Sequence, residues 1–546
     1  MKASEAIARA LAAESPSGVI FSLIGDSNLA IAGSLHRDVG ASQVMARHEG
    51  AAVAMADGFA QATGSVGLAT VGSGPALTHA ATSLLAASRE RTPMVVVAGE
   101  VPLRRPEGLQ ALQQLDQRRF AEAAEALFQR VYSAESVAED VRAAFHLART
   151  RRQPVVLGVP LDVQNAELPD GWSYEPSTSA LPADVALPLA DEAGRSIVEL
   201  IEASSRPLVL AGRGASTPDA RAALEALADA IGALLGTTLP VKGLFDANPW
   251  SVGVVGGYSR PVGAELIREA DLVVAFGAEL GHFTTQGGTL LAGRPVVRVD
   301  REPAANAVQA DATEAARALL RLLPRRRQGF RTPGTRIRLA ESPPLEPAPA
   351  DGLLDPRALM LDLGERLPAD ALVVVGGGHF TSFPCIYLDR PSEGGFLFPF
   401  GAAVVGQALP FGIGAAVGCA GRPVVIVEGD GSLMMNIQEL ETAARLRLRL
   451  FLLVMNDGAL TAETIKLAAG GYDPGLATFP SPDFPAIARA FGWEGVSLGA
   501  DDSLGGAIER FVAGDGPMLV DARISPGVRI NPTALTSLAA ITPLSV

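Results

Sequence analysis

The chain has 546 residues, 48% hydrophobic and 19% charged, with a formal net charge of −14. One core rarely serves so many residues, so length alone predicts about three domains. The negative charge argues against nucleic acid as a general partner. Two cysteines, Cys385 and Cys419, are too few for a secreted disulfide scaffold or a cysteine metal site. Met1 to Ser22 is broken by Glu5, Arg9 and Glu14, so it lacks a secretory apolar core, and the cytoplasm is the expected location. Gly401 to Gly421 is uncharged and long enough to cross a bilayer. Its six glycines, Pro410 and Gln407 instead mark a buried segment of a soluble core, with no membrane partner.

In chain order, Gly18–Leu23, Ser42–Ala46, Val66–Val71 and Met94–Ala98 read as buried strands. Helical patterns fall between them at Leu29–His36, Glu49–Ala62 and Ala76–Ser88. A second unit opens with a strand at Pro207–Ala211 and a helix at Asp219–Ala233, and adds strands at Leu272–Phe276 and Pro295–Val299. The Pro- and Arg-rich stretch Pro324–Asp351, with its run Arg325-Arg326-Arg327, reads as a solvated linker. A third unit has strands at Leu372–Val375, Val424–Val427, Phe451–Met455 and Met518–Asp521, with helices at Ser432–Arg445 and Phe484–Phe491. Strands alternating with helices predict three consecutive α/β domains, each a parallel sheet flanked by helices, with a Rossmann-like middle domain. The boundaries are 1–180, 185–325, a linker at 326–354, and 355–546. The first and third units share a pattern without a residue-level repeat.

Gly429-Asp430-Gly431-Ser432 follows an apolar strand directly, and the next strand ends at Asn456-Asp457-Gly458. Asp430 and Asp457 therefore stand at the carboxyl ends of two parallel strands, the edge where open α/β sheets bind ligands. Gly429 and Gly431 let the backbone approach a phosphate, and a helix starting near Ser432 favours an anion. Two oxygen donors with phosphate oxygens suit Mg²⁺. Gly-Asp-Gly alone is a turn; the whole strand–turn–helix–strand–turn assembly is the signal.

Gly429 to Asp457 resembles the cofactor signature of thiamine diphosphate enzymes, and Gln438-Glu439-Leu440-Glu441-Thr442-Ala443 resembles the "QELxTA" of the acetolactate synthase, benzoylformate decarboxylase and pyruvate decarboxylase superfamily. The resemblance covers most of the chain. It implies a thiamine diphosphate-binding fold in the first (pyrimidine) and third (diphosphate and Mg²⁺) domains. Asp430, Asp457 and the carbonyl of Ala459 are the implied metal ligands. The sequence departs from the pattern at Asp457, where relatives carry a second Asn.

Arg47-His48-Glu49-Gly50-Ala51-Ala52, continuing through Met55-Ala56-Asp57-Gly58-Phe59-Ala60 to Ala62-Thr63-Gly64, resembles the family's "RHExxAxxMAxGYAxxTG". An acid opening a helix also has a purely structural reading. The resemblance makes Glu49 the residue that shares a proton with the aminopyrimidine ring, so that the cofactor can lose its thiazolium C2 proton. In the family these two motifs meet across a subunit interface, which implies at least a homodimer, with a homotetramer common among relatives. Gly376-Gly377-Gly378-His379 resembles the diphosphate loop, and Val405 falls where relatives place the aliphatic residue between the cofactor rings. Both His379 and Val405 also have ordinary core readings.

Gly25-Asp26-Ser27-Asn28-Leu29 resembles the "GDxNL" of pyruvate and indolepyruvate decarboxylases, but no histidine pair follows between Leu103 and Phe120. Gly72 and Leu161 stand where other relatives carry a specificity His or Lys. The remaining substrate-side candidates are Asp26, Gln113, Gln114 and His79; His79 follows Ser73-Gly74-Pro75, similar to the family's "SGPG". The expected substrate is a 2-oxo acid or an acyloin, with decarboxylation and ligation both open. In the middle unit Thr238 to Gly243, including Lys242, resembles "TxxGKG". Gly212-Arg213-Gly214 is an incomplete dinucleotide fingerprint because residue 217 is Thr. FAD binding there is open. Rival readings are a non-catalytic cofactor-binding homologue, against which Glu49 argues, and a nicotinamide dehydrogenase, against which the incomplete fingerprint argues.

Overall fold

Uninterrupted apolar runs become the central strands. Met94–Glu100 and Leu450–Asn456 are buried along their whole length, as strands covered on both faces must be. The structure is a computed structural model describing residues 1–104, 112–182, 185–304, 306–341, 344–389, 395–399, 401–499 and 502–529. The first domain holds β1 (Val19–Ser22), β2 (Ser42–Met45), β3 (Gly67–Val71), β4 (Met94–Glu100), β5 (Leu127–Arg130) and β6 (Pro154–Pro160). The middle domain holds β7 (Pro207–Ala211), β8 (Leu234–Thr237), β9 (Ser251–Val254), β10 (Leu272–Phe276), β11 (Val296–Asp300) and β12 (Ala307–Gln309). The third holds β13 (Leu372–Val375), β14 (Phe396–Leu397), β15 (Val424–Gly429), β16 (Leu450–Asn456), β17 (Glu494–Leu498) and β18 (Met518–Arg523).

The sheet orders are β2-β1-β3-β4-β6-β5, β12-β11-β10-β7-β8-β9 and β14-β13-β15-β16-β18-β17. Counted within each domain, the first and third sheets have the same order, which explains the shared sequence pattern. The middle sheet has the strand order of dinucleotide-binding folds. Its glycines have another use, however. A methyl group at Gly212 would lie 2.3 Å from the carbonyl oxygen of Gly277, and one at Gly214 would lie 2.9 Å from the Gly277 Cα. These glycines let two loops touch, and Thr217 caps the following helix through the amide of Ala220. Among the described residues no helix is long and apolar enough to cross a membrane, and Gly401–Gly421 lies within the third domain, where Ala408–Gly418 is a buried helix.

Three predicted elements differ. The helix expected over 76–88 is two helices, Pro75–His79 and Ala81–Arg89. The helix expected over 432–445 is one turn, Asp430–Leu433, and a second helix, Glu439–Arg445. The break frees Asn436 to donate to the carbonyl of Gly406 at 2.6 Å. The stretch read as a solvated linker contains a helix, Pro333–Ala340. Arginines fasten it to the middle domain: Arg336 donates to the carbonyl of Pro249, and Arg338 pairs with Glu265 and Glu269.

The first and third domains share one core, in which Val53, Phe59 and Leu84 join Leu409, Phe411, Ile413 and Leu440. The helix Glu49–Thr63 crosses the helix Ala408–Gly418 at backbone contact. A methyl at Gly58 would lie 1.9 Å from the Phe411 carbonyl oxygen, and one at Gly414 would lie 1.8 Å from that of Met55. Beside this crossing, buried Glu439 accepts the amide of Arg47 at 3.0 Å and the hydroxyl of Thr442 at 2.7 Å. Burial pushes the Glu439 carboxyl up to about 7, against these hydrogen bonds.

Gly58→Ala should therefore destabilise the protein by about 2 kcal/mol or more, read by urea denaturation, because the added methyl overlaps backbone that cannot retreat. Glu439 sets a pH trend. A carboxyl whose folded pKa is raised favours folding most below its unfolded value, and that contribution is lost as pH rises towards about 7. Melting temperatures measured from about pH 5 to pH 7.5 should fall less steeply in Glu439→Gln than in the parent.

Candidate active site

Beyond β2 the chain turns at Arg47-His48, and the helix begins at Glu49. His48 occupies the capping position, and its Nδ1 accepts the amide of Gly50 at 3.1 Å. A neutral imidazole accepting at Nδ1 carries its proton on Nε2. Burial, then the neighbouring His79, hold the His48 pKa below its ordinary value. Glu49 is half-buried, and its Oε2 lies 3.0 Å from Nδ1 of His79. The His79 ring stacks on His48, with centroids 4.9 Å apart. Gly50 has no room for a side chain, since a methyl there would lie 2.8 Å from the carbonyl oxygen of His79. The hydroxyl of Ser83 is 2.7 Å from the Gly50 carbonyl and 2.9 Å from Gln407 Oε1. Through Ser83 the Glu49 segment is tied to the third domain two residues from Val405.

Asp430 follows β15 and Asp457 follows its neighbour β16. Asp430 Oδ2 accepts the amide of Gly458 at 3.1 Å, and Asp457 Oδ2 accepts the hydroxyl of Thr461 at 2.5 Å. Burial, then the charge of Asp457, lifts the Asp430 carboxyl to about 6; burial raises Asp457 also. A buried carboxylate beside a half-buried one that repels it fits a hard divalent cation. Ala459 pairs with Thr478 in an isolated antiparallel bridge. Its two hydrogen bonds run from the Phe479 amide to the Gly458 carbonyl, 2.8 Å, and from the Leu460 amide to the Ala477 carbonyl, 2.9 Å. This leaves the Ala459 carbonyl outside the ladder, as a ligand position requires. Asn456 is already committed: it donates to Asp521 and accepts from Ser481, both at 2.7 Å.

The loop after β13 supplies the anion side. Gly376 packs on buried Glu428, where a methyl would lie 2.0 Å from Oε1. His379 is 6% exposed, and neither ring nitrogen has a hydrogen-bond partner among the described residues. Burial, then Arg529, pushes its pKa down to about 4, so the ring is neutral near pH 7. A buried polar group without a partner awaits one, and a diphosphate oxygen fits. The glycines flanking Asp430 serve packing: a methyl at Gly429 would strike Phe380, 2.7 Å away, and one at Gly431 would strike Leu460, 2.8 Å away. Ser432 is also occupied. Its hydroxyl accepts the amide of Gly406 at 2.8 Å, while Asn436 holds the carbonyl of the same residue. Val405 is thereby presented by a clamped neighbour. Ala402 and Ala403 before it take φ of 58° and 55°, a strained backbone of the kind that clusters at functional sites.

The substrate-side candidates sit in different settings. Asp26 is exposed at the tip of a turn held by Asn28, whose Oδ1 accepts the amide of Gly25 at 2.8 Å. Gln113 and Gln114 have exposed side chains, and the Gln113 carbonyl, not its amide, meets the Ser73 hydroxyl at 3.3 Å. The glutamine that organises this wall is Gln117, 1% exposed, which accepts from the Gly74 amide and donates to the Gly99 carbonyl, both at 3.1 Å. Residues 109–111 of the same stretch lie outside the described residues. Among the described residues no hydrogen bond joins Glu49 to Asp430 or Asp457; the protein holds these two ends in place separately. Ser83, Gln407, Asn436 and Glu439 were not foreseen as site-builders: Ser83 with Gln407, and Glu439 with Arg47, act across domains, and Asn436 reaches Gly406 from a helix break.

Residues 1–120, 195–319 and 376–522 match, respectively, the N-terminal TPP binding domain, the central domain and the C-terminal TPP binding domain of thiamine pyrophosphate enzymes. The chain belongs to the thiamine pyrophosphate enzyme family. It is 30% identical over 469 residues to a probable 2-ketoarginine decarboxylase of Pseudomonas aeruginosa, covering 83% of this chain and 82% of that one. It is 29% identical over 538 residues to the acetolactate synthase large subunit of Parasynechococcus marenigrum, covering 94% and 86%. Identity to the acetolactate synthase isozyme 2 large subunit of Escherichia coli is 27%, covering 89% of both chains.

Mg²⁺ should raise the melting temperature of the cofactor-free protein by relieving the repulsion between Asp430 and Asp457. The effect should weaken below about pH 6, where protons compete for Asp430, and should vanish in Asp430→Asn. Differential scanning fluorimetry with and without Mg²⁺ reads both.

Proposed function

We propose that this chain is a thiamine diphosphate- and Mg²⁺-dependent enzyme that breaks or forms the carbon–carbon bond beside the carbonyl of a 2-oxo acid. The observation that carries the proposal is the division of labour in the site. A helix-opening glutamate with one carboxylate oxygen on His79 stands in a chain that also holds a buried and a half-buried carboxylate in repulsion and a buried histidine whose ring nitrogens have no hydrogen-bond partner among the described residues. The bound cofactor supplies a carbon that adds to a carbonyl and accepts the electron pair released when the adjacent bond breaks.

Every other part is the protein's. Glu49 shares a proton with the aminopyrimidine nitrogen, as the family motif implies. Asp430, Asp457 and the Ala459 carbonyl hold the cation, and His379 faces the diphosphate. Val405 supports the cofactor rings from a loop fixed by Ser432 and Asn436. The family relatives include both a decarboxylase and synthases, so release of an aldehyde and ligation to a second carbonyl are both encompassed. Met434 and Met435, which flank this loop, are 49% and 54% exposed, which supports burial against a second copy in a homodimer.

Carbon dioxide release from a panel of aliphatic, aromatic and acidic 2-oxo acids, with thiamine diphosphate and Mg²⁺ added and then withheld, tests the class. Cofactor-dependent release from at least one donor is expected. Glu49→Gln should lower turnover at least about 100-fold while cofactor affinity is largely kept. Undiminished turnover in that variant would sink the assigned role.

A further inference from the structure

The site contains a contact that the family motif does not demand. His79 ends the short helix Pro75–His79, where the chain breaks at Ala80 before resuming as Ala81–Arg89. That break sets the imidazole against Glu49, with Nδ1 3.0 Å from Oε2. The ring's outer side is open, since the His79 side chain is 56% exposed while that of Glu49 is 17% exposed. His48, Glu49 and His79 have ligand atoms within 4.8 Å of one another, a spacing that also suits a transition metal. The tautomer of His48 argues against that reading. Its Nδ1 accepts the Gly50 amide, so its proton sits on Nε2, and ligating a metal there would break the helix cap.

The same tautomer argument defines His79. An ionised Glu49 only accepts, so Nδ1 of His79 carries the proton between them and Nε2 presents its lone pair to solvent. When Glu49 is protonated the roles reverse, and Glu49 donates to Nδ1. We propose that His79 is a positioning residue that acts through Glu49: it reserves Oε2, leaving Oε1 for the cofactor, and it relays the proton between Glu49 and solvent. A proton leaving Glu49 Oε2 arrives at His79 Nδ1 as another leaves Nε2 for water, so the ring ends neutral and the reverse path restores it. The stacked His48, kept neutral by burial and by its capping bond, holds the ring in plane without adding charge. This inference rests on the proposed role of Glu49.

Two measurements test it. The first needs no cofactor. The chain has six histidines, so selective ¹⁵N-histidine labelling gives a simple spectrum. His48 is expected as the Nε2–H tautomer and His79 as the Nδ1–H tautomer, with the His79 signals moving in Glu49→Gln. An Nε2–H tautomer for His79 beside an ionised Glu49 overturns the proposal. The second is hydrogen–deuterium exchange at C2 of bound thiamine diphosphate in the Mg²⁺-loaded protein. His79→Asn keeps a donor for Glu49 but cannot relay, and should slow exchange about ten-fold or more at unchanged cofactor affinity. Added imidazole should restore the rate. Parent-like exchange in His79→Asn, or slowed exchange that imidazole does not rescue, overturns the relay. Glu49→Gln separates the two readings: if it exchanges at the parent rate, the role of Glu49 itself fails; if it is inert while His79→Asn is normal, only this inference fails.

Discussion

The Glu49 end of the candidate site depends on two helices touching backbone to backbone. Gly58 and Gly414 remove the side chains that would keep Glu49–Thr63 and Ala408–Gly418 apart. Helices separated by ordinary side chains pack 8–10 Å apart, as a rule. Closer approach lets Ser83 reach both Gly50 and Gln407, and lets Glu439 accept the Arg47 amide. The residue that opens one helix and the loop that leads into the other are thereby fixed relative to each other by the same contact. The glycines of the site serve this packing more than they serve ligands: Gly376, Gly429 and Gly431 each face a protein side chain.

The electrostatics follow from burial. Asp430, Glu428 and Glu439 are carboxyls pushed up to about 6, about 7 and about 7, and in each case desolvation is the leading cause. A neighbouring carboxylate adds to the rise in two of them, Asp457 beside Asp430 and Glu441 beside Glu439. His379 moves in the opposite sense for the same reason, because burial always disfavours the charged form. The site is thus built from groups whose neutral forms are comfortable near pH 7, beside one pair whose repulsion asks for a cation.

Much of this was legible in the residues. The middle strands Pro207–Ala211, Leu272–Phe276 and Leu372–Val375 were read to the residue, because each is a continuous apolar run between turns. Short or edge strands such as Ser251–Val254, Ala307–Gln309 and Phe396–Leu397 were missed, since partly exposed positions leave no such run. Helix breaks at Ala80 and at 434–438 were invisible because neither carries a proline or glycine; tertiary contacts impose them. The pairing of His79 with Glu49 spans |i−j| = 30 and depends on such a break. Asp457 and Ala459 were named as ligands from the family resemblance, and in the bridge to Thr478 the Ala459 carbonyl lies outside the hydrogen-bonded pairs.

The shared core has a consequence for how the chain is made. The helix Glu49–Thr63 is buried on nearly every side from Gly50 to Ala60, yet part of its cover is the helix at Ala408–Gly418. A ribosome adding residues at ordinary rates needs on the order of tens of seconds to pass from one to the other. Through that interval the first domain, its sheet already complete, carries an apolar face with no partner. Sheets alone do not finish this protein. The nascent chain must be shielded until its third domain emerges, and it is there that misassembly between neighbouring chains would begin.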